Sequence, residues 1–559
     1  MLAVAAGLAV ACGSSSHGDD DDAGGLSGQG GVTPGTPGGN GGGGTSSGKG
    51  GAASGRGGAA SAGTGGDTSG APGDGEAGSD ATNGGETASS GGTSGSGTSG
   101  TSGGGTSGVG GTNAAGGSGG AGPRPPFAPK VRCDTPRWLT SVEPPLAATD
   151  PLAVTNGLGH FMVTWLTSEE VNATETWGNG VVSLAGGEPD ANQLESDAGQ
   201  GTNTHTGQLA MGRTGDALWL QNPGNLGSSD MTTLRRWDQA NLEWSGPHVV
   251  EGMRTFGMRA TFLDDHDILV VGSIGDQLSA LTYDHASATW SDPTPLGSLG
   301  SSLPNWGATH VAVAADGEGN AAVVWANGAA SGARVMRARE WVGEALPLSA
   351  DTMIQDFWDV AIIPAGGGNF EVVTGPQDQT RGVIMQSRTL GYTTESGTVL
   401  GEIVEMGSLP EITYVGAGQP ITALRDRDGD LTVGSVFWTA YPEFWLFRRV
   451  NGGWENPLRL ASGIIVANNN IGMGLRSIAL DSGGHALAVI ANEDDELVLR
   501  EVEHGASTWT EGIRIDTTDF RFNRRGVSLV LDGDDPVIFF SADDALGTSG
   551  NVAWTTCHD

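Results

Sequence analysis

The stretch Val311 to Trp325, VAVAADGEGNAAVVW, determines the predicted fold. Apolar residues flank the segment Asp316–Asn320, which consists of Asp, Gly, Glu and Asn. Two apolar runs joined by a short polar, glycine-containing segment are typical of a β-hairpin. We therefore predict two adjacent antiparallel strands here.

The same hairpin unit recurs through the rest of the chain, with starts roughly 50 residues apart. Related units are LAVTNGLGHFMVTW from Leu152, QLAMGRTGDALWL from Gln208, ATFLDDHDILVVG from Ala260, VAIIPAGGGNFEVV from Val360, ITYVGAGQPITAL from Ile412, SIALDSGGHALAVIA from Ser477 and VSLVLDGDDPVIFFS from Val527. Such a period in a chain without helical periodicity predicts an all-β fold, a β-propeller. Eight units favour eight blades; the count is seven if one unit is an insertion, and the long interval after Ile412 is where that would show.

Several units are followed by a Trp-containing segment, which we interpret as the outer strand of a blade. These segments are LEWSGPHVV at Trp244, ATWSDPTPL at Trp290, GGWENPLRL at Trp454 and STWTEGIRI at Trp509. Proline is tolerated there because an edge strand does not need every backbone N–H group. We expect the Trp side chains to pack between blades rather than to bind a ligand.

Two cysteines, Cys133 and Cys557, stand at the two ends of the predicted propeller, residues 127–559. The segment from Arg137 resembles an outer strand without a blade of its own, and the last unit ends without one. We predict that the N-terminal strand completes the last blade, that the strands at Trp138 and Trp554 pair, and that a Cys133–Cys557 disulfide locks the ring. The alternative is two unpaired buried thiols.

The N-terminal residues resemble an export signal. Leu2–Val10 is apolar but too short to span a bilayer, and Cys12 follows small residues, which resembles a bacterial lipobox. We predict a lipoprotein-type signal peptide in residues 1–12 with lipidation at Cys12. The alternative is cleavage after Ala9–Ala11 and plain secretion.

Residues 13–126 hold 45 of the 98 glycines in about a fifth of the chain, together with Ser, Thr and Ala. This composition cannot bury enough apolar surface to offset its ordering entropy, so we predict a disordered tether. The chain's formal net charge is −37, which repels phosphate backbones and anionic headgroups. We therefore exclude nucleic acid as a partner and expect membrane contact only through the lipid anchor.

The Trp-ended units resemble the sialidase-like and BNR-type propeller families, and the glycine-rich propeller lipoproteins common among myxobacteria. The family's Arg-Ile-Pro signature is absent. Its Asp-box is absent too, since the nearest stretches, ASATWSDP and GASTWTEG, lack the required Asp and Gly. The resemblance therefore implies a propeller without implying sialidase activity. We expect the arginine pairs Arg235–Arg236, Arg448–Arg449 and Arg524–Arg525 to lie on exposed strand faces.

One acidic segment, RDRDGDLTV, places Asp426, Asp428 and Asp430 at alternate positions, a spacing that can supply oxygen ligands to Ca²⁺. The match to a calcium loop is partial, and a charged hairpin turn is the alternative. No other cofactor is expected, and no catalytic motif occurs in the sequence.

These features favour an exported, lipid-anchored module in the cell envelope that binds a glycan, peptide or protein through loops on one face of the propeller. The alternatives are a hydrolase or lyase acting on polysaccharide, and a structural envelope protein. The missing catalytic motif favours a protein that is not an enzyme.

Overall fold

The computed structural model describes residues 126–139, 146–171, 174–185, 188–189, 195–197, 208–221, 231–299, 310–326, 331–348, 360–375, 377–378, 382–409, 421–438, 442–462, 476–491, 496–518, 520–544 and 550–559. The predicted signal peptide, Cys12 and nearly all of the predicted tether lie outside these residues. The described part consists of β-strands and turns arranged in eight antiparallel sheets. The chain is an all-β propeller, as the hairpin period predicted.

The strands of the first half are two to twelve residues long. They are β1 (Arg132–Cys133), β2 (Arg137–Trp138), β3 (Leu146–Thr155), β4 (His160–Val171), β5 (Thr174–Ala185), β6 (Glu188–Pro189), β7 (Glu195–Asp197), β8 (Gln208–Met211), β9 (Ala217–Gln221), β10 (Met231–Asp238), β11 (Glu243–Trp244), β12 (His248–Glu251), β13 (Met253–Phe262), β14 (Ile268–Ile274), β15 (Gln277–Asp284), β16 (Thr289–Trp290), β17 (Thr294–Ser298), β18 (His310–Ala315), β19 (Ala321–Ala326), β20 (Gly332–Arg337) and β21 (Glu340–Pro347).

The second half continues in the same way. Its strands are β22 (Val360–Gly366), β23 (Asn369–Thr374), β24 (Gln377–Asp378), β25 (Gly382–Thr393), β26 (Gly397–Leu400), β27 (Val404–Leu409), β28 (Ile421–Arg425), β29 (Leu431–Trp438), β30 (Pro442–Val450), β31 (Gly453–Trp454), β32 (Leu458–Ser462), β33 (Ile478–Leu480), β34 (Ala486–Ala491), β35 (Leu497–Val502), β36 (Ile513–Arg514), β37 (Phe520–Asp532), β38 (Asp535–Asp544) and β39 (Gly550–His558).

Each sheet is one blade. Blades 1 to 8 contain β3–β7, β8–β12, β13–β17, β18–β21, β22–β27, β28–β32, β33–β36, and β37–β39 with β1 and β2. In blades 2, 3 and 6 the outer strand is split in two, and both pieces pair with the same third strand. The break falls at Pro247, Pro293 and Pro457. Proline removes a backbone donor, and an edge strand accommodates that loss.

One predicted unit is displaced in the structure. The sequence indicated a first strand at Ile412, but residues 410–420 lie outside the described part, and the first strand of blade 6 is β28. The segment Asp426–Asp430 is therefore the turn between the first and second strands of this blade. With its first strand at Ile421, blade 6 begins about midway between the first strands of blades 5 and 7, at Val360 and Ile478. Each of the eight predicted units has a sheet of its own, so no unit is an insertion.

The hydrophobic core lies between neighbouring blades. One cluster joins Leu152 and Met162 of blade 1 to Trp219 and Trp237 of blade 2, and the half-buried Trp244 packs against it. Trp290, Trp454 and Trp509 are likewise half-buried against core clusters. The Trp side chains therefore pack against the core between strands and blades.

The ring closes as predicted. In blade 8, Arg137 pairs with Trp554, and Cys133 lies opposite Cys557, to which it is disulfide-bonded. The N-terminal strands β1 and β2 therefore supply the outer edge of the last blade. A structural disulfide of this kind is typical of proteins outside the cytoplasm.

The described residues contain no helix long and apolar enough to cross a membrane.

The segment before β1 is fastened by Lys130. Its backbone N–H donates to Glu501 Oε2 at 2.7 Å, and its ammonium contacts the carboxylates of Asp559 at 2.7 Å and Asp535 at 3.4 Å. Burial lowers the pKa of Lys130, but these carboxylates outweigh burial and raise it. Burial raises the pKa of Glu501 above its usual value, against the opposing effect of Lys130.

We predict that the substitution Glu501→Gln is more favourable for stability at neutral pH than at acidic pH. Folding raises the pKa of Glu501, so the protonated carboxyl stabilises the folded state below the usual pKa of 4.5. This stabilisation is lost as the pH rises through the raised pKa. The glutamine stays neutral and can still accept from Lys130. The melting temperature of the variant minus that of the wild type should rise by about 1–3 °C from pH 4 to pH 7. A difference independent of pH would refute this.

Candidate functional site

The two faces of the propeller differ in the connections they carry. Because successive strands are antiparallel, the turns from first to second strand and from third to fourth strand lie on one face. We call this the turn face; Asp426–Asp430 is one of its turns. The opposite, connection face receives the links from second to third strand and from blade to blade.

Polar contacts cross the interface between every pair of adjacent blades near the turn face. They join Asn156 to the Arg213 carbonyl, Asp216 to His266, Arg339 to Asp264 and Asp267, Arg337 to the Gly367 carbonyl, Arg425 and Arg449 to Glu371, His504 to Asp426 and Asp430, Ser482 to Asp534, and the Gly159 N–H to Asp532. The turn face is therefore a continuous ring of hydrogen bonds and ion pairs.

The predicted calcium segment forms one of these turns. Asp426 Oδ1 accepts from the backbone N–H groups of Asp428 and Asp430, both at 2.9 Å. Gly429 follows with a φ of +84°, a conformation that glycine adopts without a steric cost. The turn is therefore closed by the first aspartate itself.

A histidine from the next blade faces this turn. His504 follows β35 of blade 7, and its Nδ1 lies 3.8 Å from Asp426 Oδ2 while its Nε2 lies 3.3 Å from Asp430 Oδ2. The Asp426 side chain is only 3 % exposed, and those of Asp430 and His504 are more exposed, at 14 % and 15 %. One ligand atom from each residue lies within 4.8 Å of the other two. We call Asp426, Asp430 and His504 the blade 6–7 cluster.

The structure thus brings together two of the three aspartates predicted as calcium ligands. Asp428 lies apart from the cluster, with Oδ1 3.9 Å from Arg427 Nε. The sequence prediction missed His504, because this residue is far from Asp426 along the chain. The signal that could have found it is a repeated motif, which 503–509 (EHGASTW) shares with 284–290 (DHASATW).

Arg448 holds the His504 turn in place. Its guanidinium donates to the Glu503 carbonyl at 2.9 Å and to the Ala506 carbonyl, and it pairs with Glu455 at 2.7 Å. Burial lowers the pKa of Arg448, although Glu455 opposes this. Arg448 is only 4 % exposed, so this arginine does not lie on an exposed strand face as the sequence suggested.

A second group, Asp216, His266 and His285, occupies the interface between blades 2 and 3, and we call it the blade 2–3 cluster. Asp216 Oδ2 lies 3.0 Å from His266 Nδ1, and the rings of His266 and His285 stack with centroids 4.5 Å apart. Arg236, from the third strand of blade 2, places Nη1 3.1 Å from His285 Nδ1. A cationic side chain therefore already contacts this cluster.

Other aspartates on the turn face hold turns and blade interfaces. Asp264 accepts from the backbone N–H groups of His266 and Asp267 and pairs with Arg339. Burial raises the pKa of Asp264, but these hydrogen bonds and the arginine outweigh burial and lower it. Among the described residues, groups able to hold a metal ion occur at the blade 2–3 and blade 6–7 clusters.

Comparisons with known proteins reach the fold only. No family model matches the chain, and no curated protein matches it. The solved structures similar to it include the BP39L lectin from Burkholderia pseudomallei, at 14% identity and a TM-score of 0.38, covering 62% of this chain and 95% of that one. The β-propeller domain of the Trilobed protease from Pyrococcus furiosus shows 10% identity and a TM-score of 0.35, covering 66% and 98%. The polysaccharide lyase Uly1 shows 8% identity and a TM-score of 0.35, covering 61% and 88%. The chain has a distant structural similarity to β-propeller proteins.

Proposed function

We propose that this protein is an exported, lipid-anchored binding module that recognises its ligand through the connection face of the propeller. The observation that supports this proposal is the difference between the two faces. On the turn face, polar contacts between neighbouring blades occupy side chains in or beside the turns at each blade interface. The connection face is therefore the surface on which sequence can vary without opening the ring.

Connection lengths agree with this division of roles. On the turn face the segments between consecutive strands are short, as in 425–431 and 315–321. Several links between blades on the connection face are longer, as in 462–478 and 347–360, whereas blades 2 and 3 are joined by Gly252 alone. Long connections mounted on a rigid scaffold are where binding residues concentrate in many folds.

The charge of the chain limits the ligand. A net charge of −37 repels polyanions, so the proposed ligand is a neutral or basic glycan, peptide or protein surface. The Cys133–Cys557 disulfide supports a location where such ligands occur outside the cytoplasm.

Array binding tests the proposal. The purified, oxidised full chain is screened on glycan and peptide arrays, and the dissociation constant of each hit is measured. Shortening the connection between blades 6 and 7, residues 463–475, should weaken binding at least about tenfold if this connection contributes anchor residues. Leu242→Ser, at an exposed turn-face position, is the control and should bind as the wild type does. Binding that fails only in the control variant would contradict the proposal, and cleavage of a bound polysaccharide would favour an enzyme.

The proposed anchor makes a separate prediction. Metabolic labelling with a fatty-acid probe in a bacterial host should label the wild type and leave Cys12→Ala unlabelled, because a lipobox cysteine is the acylated residue. Labelled and unlabelled chains are separated by gel electrophoresis of the membrane fraction. Equal labelling of both chains would show that Cys12 is not the attachment site.

A further inference from the structure

The two clusters on the turn face are versions of one motif, four blades apart. Blade 2 carries Arg213-Thr214-Gly215-Asp216 in its first turn, and blade 6 carries Arg427-Asp428-Gly429-Asp430 in the same place. The next blade supplies a histidine in each case, in the segments 284–290 (DHASATW) and 503–509 (EHGASTW). Asp216 corresponds to Asp430, and His285 corresponds to His504. The scaffold is therefore the same, and only its polar contents differ.

Arginine contacts account for the first difference. Strand pairing places Arg236 of blade 2 and Arg448 of blade 6 at equivalent positions. In blade 2 the residue after Arg236, Trp237, pairs with the residue after Asp216. In blade 6 the residue after Arg448, Arg449, pairs with the residue after Asp430. Arg236 contacts the ring of His285 itself, at 3.1 Å. Arg448 instead binds the carbonyls on both sides of His504. The His504 ring is therefore directed to the two carboxylates rather than to an arginine.

The third residue of each group is the second difference. The blade 2–3 cluster has one carboxylate and two imidazoles, whereas the blade 6–7 cluster has two carboxylates and one imidazole, because Gly212 of blade 2 is replaced by Asp426 in blade 6. Two nearly buried carboxylates and one imidazole, with a ligand atom of each within 4.8 Å of the others, form an anionic donor set that suits a divalent cation.

We propose that the blade 6–7 cluster binds a divalent first-row transition metal ion, of which Zn²⁺ and Mn²⁺ are the examples to test. Asp426 Oδ2, Asp430 Oδ2 and a ring nitrogen of His504 are the ligands. An imidazole suits these ions, whereas Ca²⁺ prefers six to eight oxygen ligands, more than this cluster supplies. The backbone donors on Asp426 and the clamp of Arg448 hold two of the ligands in place before the ion arrives, as outer contacts do in metal sites.

The metal would join blades 6 and 7 at one interface of the ring. It would also hold the third-to-fourth turn of blade 7 against the first turn of blade 6. This role is independent of ligand binding on the connection face, so the metal site and the proposed function can fail separately.

Isothermal titration calorimetry of the metal-free full chain tests the proposal, with ZnCl₂, MnCl₂ and CaCl₂ titrated separately. We expect one saturable site for Zn²⁺ or Mn²⁺ that is lost, with at least about 100-fold weaker binding, in Asp430→Asn and in His504→Ala. The matched variants Asp216→Asn and His285→Ala remove the equivalent residues of the blade 2–3 cluster and should leave that site intact. Circular dichroism verifies that each variant is folded.

A second measurement detects the bound ion in the wild type directly. Electron paramagnetic resonance of the wild type with one equivalent of Mn²⁺ should show loss of the free-ion signal, and an excess of Zn²⁺ should restore it. The milder substitution His504→Gln should prevent this loss if His504→Ala fails to fold. The proposal is overturned if Mn²⁺ and Zn²⁺ do not bind, if only Ca²⁺ binds, or if folded Asp430→Asn and His504→Gln bind the ion as the wild type does.

Discussion

Reduction of the Cys133–Cys557 disulfide is expected to lower the apparent melting temperature of the protein by about 5–10 °C. The bond joins residues 424 positions apart, so in the reduced chain the ends of the propeller are linked only by noncovalent contacts. Cys557 is fully buried in the core between blades 7 and 8, and Cys133 packs against it. The melting temperature is measured by differential scanning calorimetry with and without reductant.

The double variant Cys133→Ser and Cys557→Ser separates this bond from other effects of the reductant. Without reductant it should melt where the reduced wild type melts, and added reductant should not change it. Limited proteolysis should then cut first near residues 126–139, because β1 and β2 are the strands that the disulfide holds on blade 8. An oxidised wild type that melts at the same temperature as its reduced form would contradict the closure role.

Replacement of Glu371 by Gln is expected to be the most damaging single exchange on the turn face. This carboxylate, in β23 of blade 5, accepts from Arg449 at 3.2 and 3.3 Å and from Arg425, both in blade 6. Its side chain is nearly buried, and the exchange would leave two partly buried guanidinium groups without their counter-charge. Removing one partner of a buried ion pair costs about 3–5 kcal/mol.

The matched control is Arg514→Gln, which breaks an exposed pair with Glu496 at 2.9 Å. Such surface pairs contribute about 0–1 kcal/mol, so its urea midpoint should stay close to that of the wild type. Comparison of the two midpoints isolates burial as the cause. A Glu371→Gln chain as stable as Arg514→Gln would show that the interface between blades 5 and 6 does not depend on this carboxylate.

The propeller could be predicted from local patterns because each blade is a local unit. A hairpin such as Val311–Trp325 pairs with itself within a few residues, so its apolar runs and its turn are both visible along the chain. The closing disulfide was predictable for a different reason: only Cys133 and Cys557 flank the repeats, and a ring brings its ends together.

Blade 6 shows where local patterns fail. ITYV and PITAL are both apolar, and GAGQ between them has the composition of a turn, so the sequence favoured a hairpin at Ile412. In the described residues the second run is the strand β28, and the turn after it is Asp426–Asp430; ITYV lies outside the described part. The two choices have similar local propensities, and pairing of β28 with β29 and packing against blade 5 decide between them.

By itself, the sequence predicted the fold class, favoured eight units over seven and indicated the closure, since these follow from short-range periodicity and from the position of two cysteines. Only the tertiary structure decided which polar residues meet. His504 joins Asp426 and Asp430 because blade 7 stacks on blade 6, and Arg448 becomes buried because it spans the same interface. Contacts between blades join residues far apart in the chain, and a polar residue in a turn has the same local pattern whether its partner is water or a neighbouring blade.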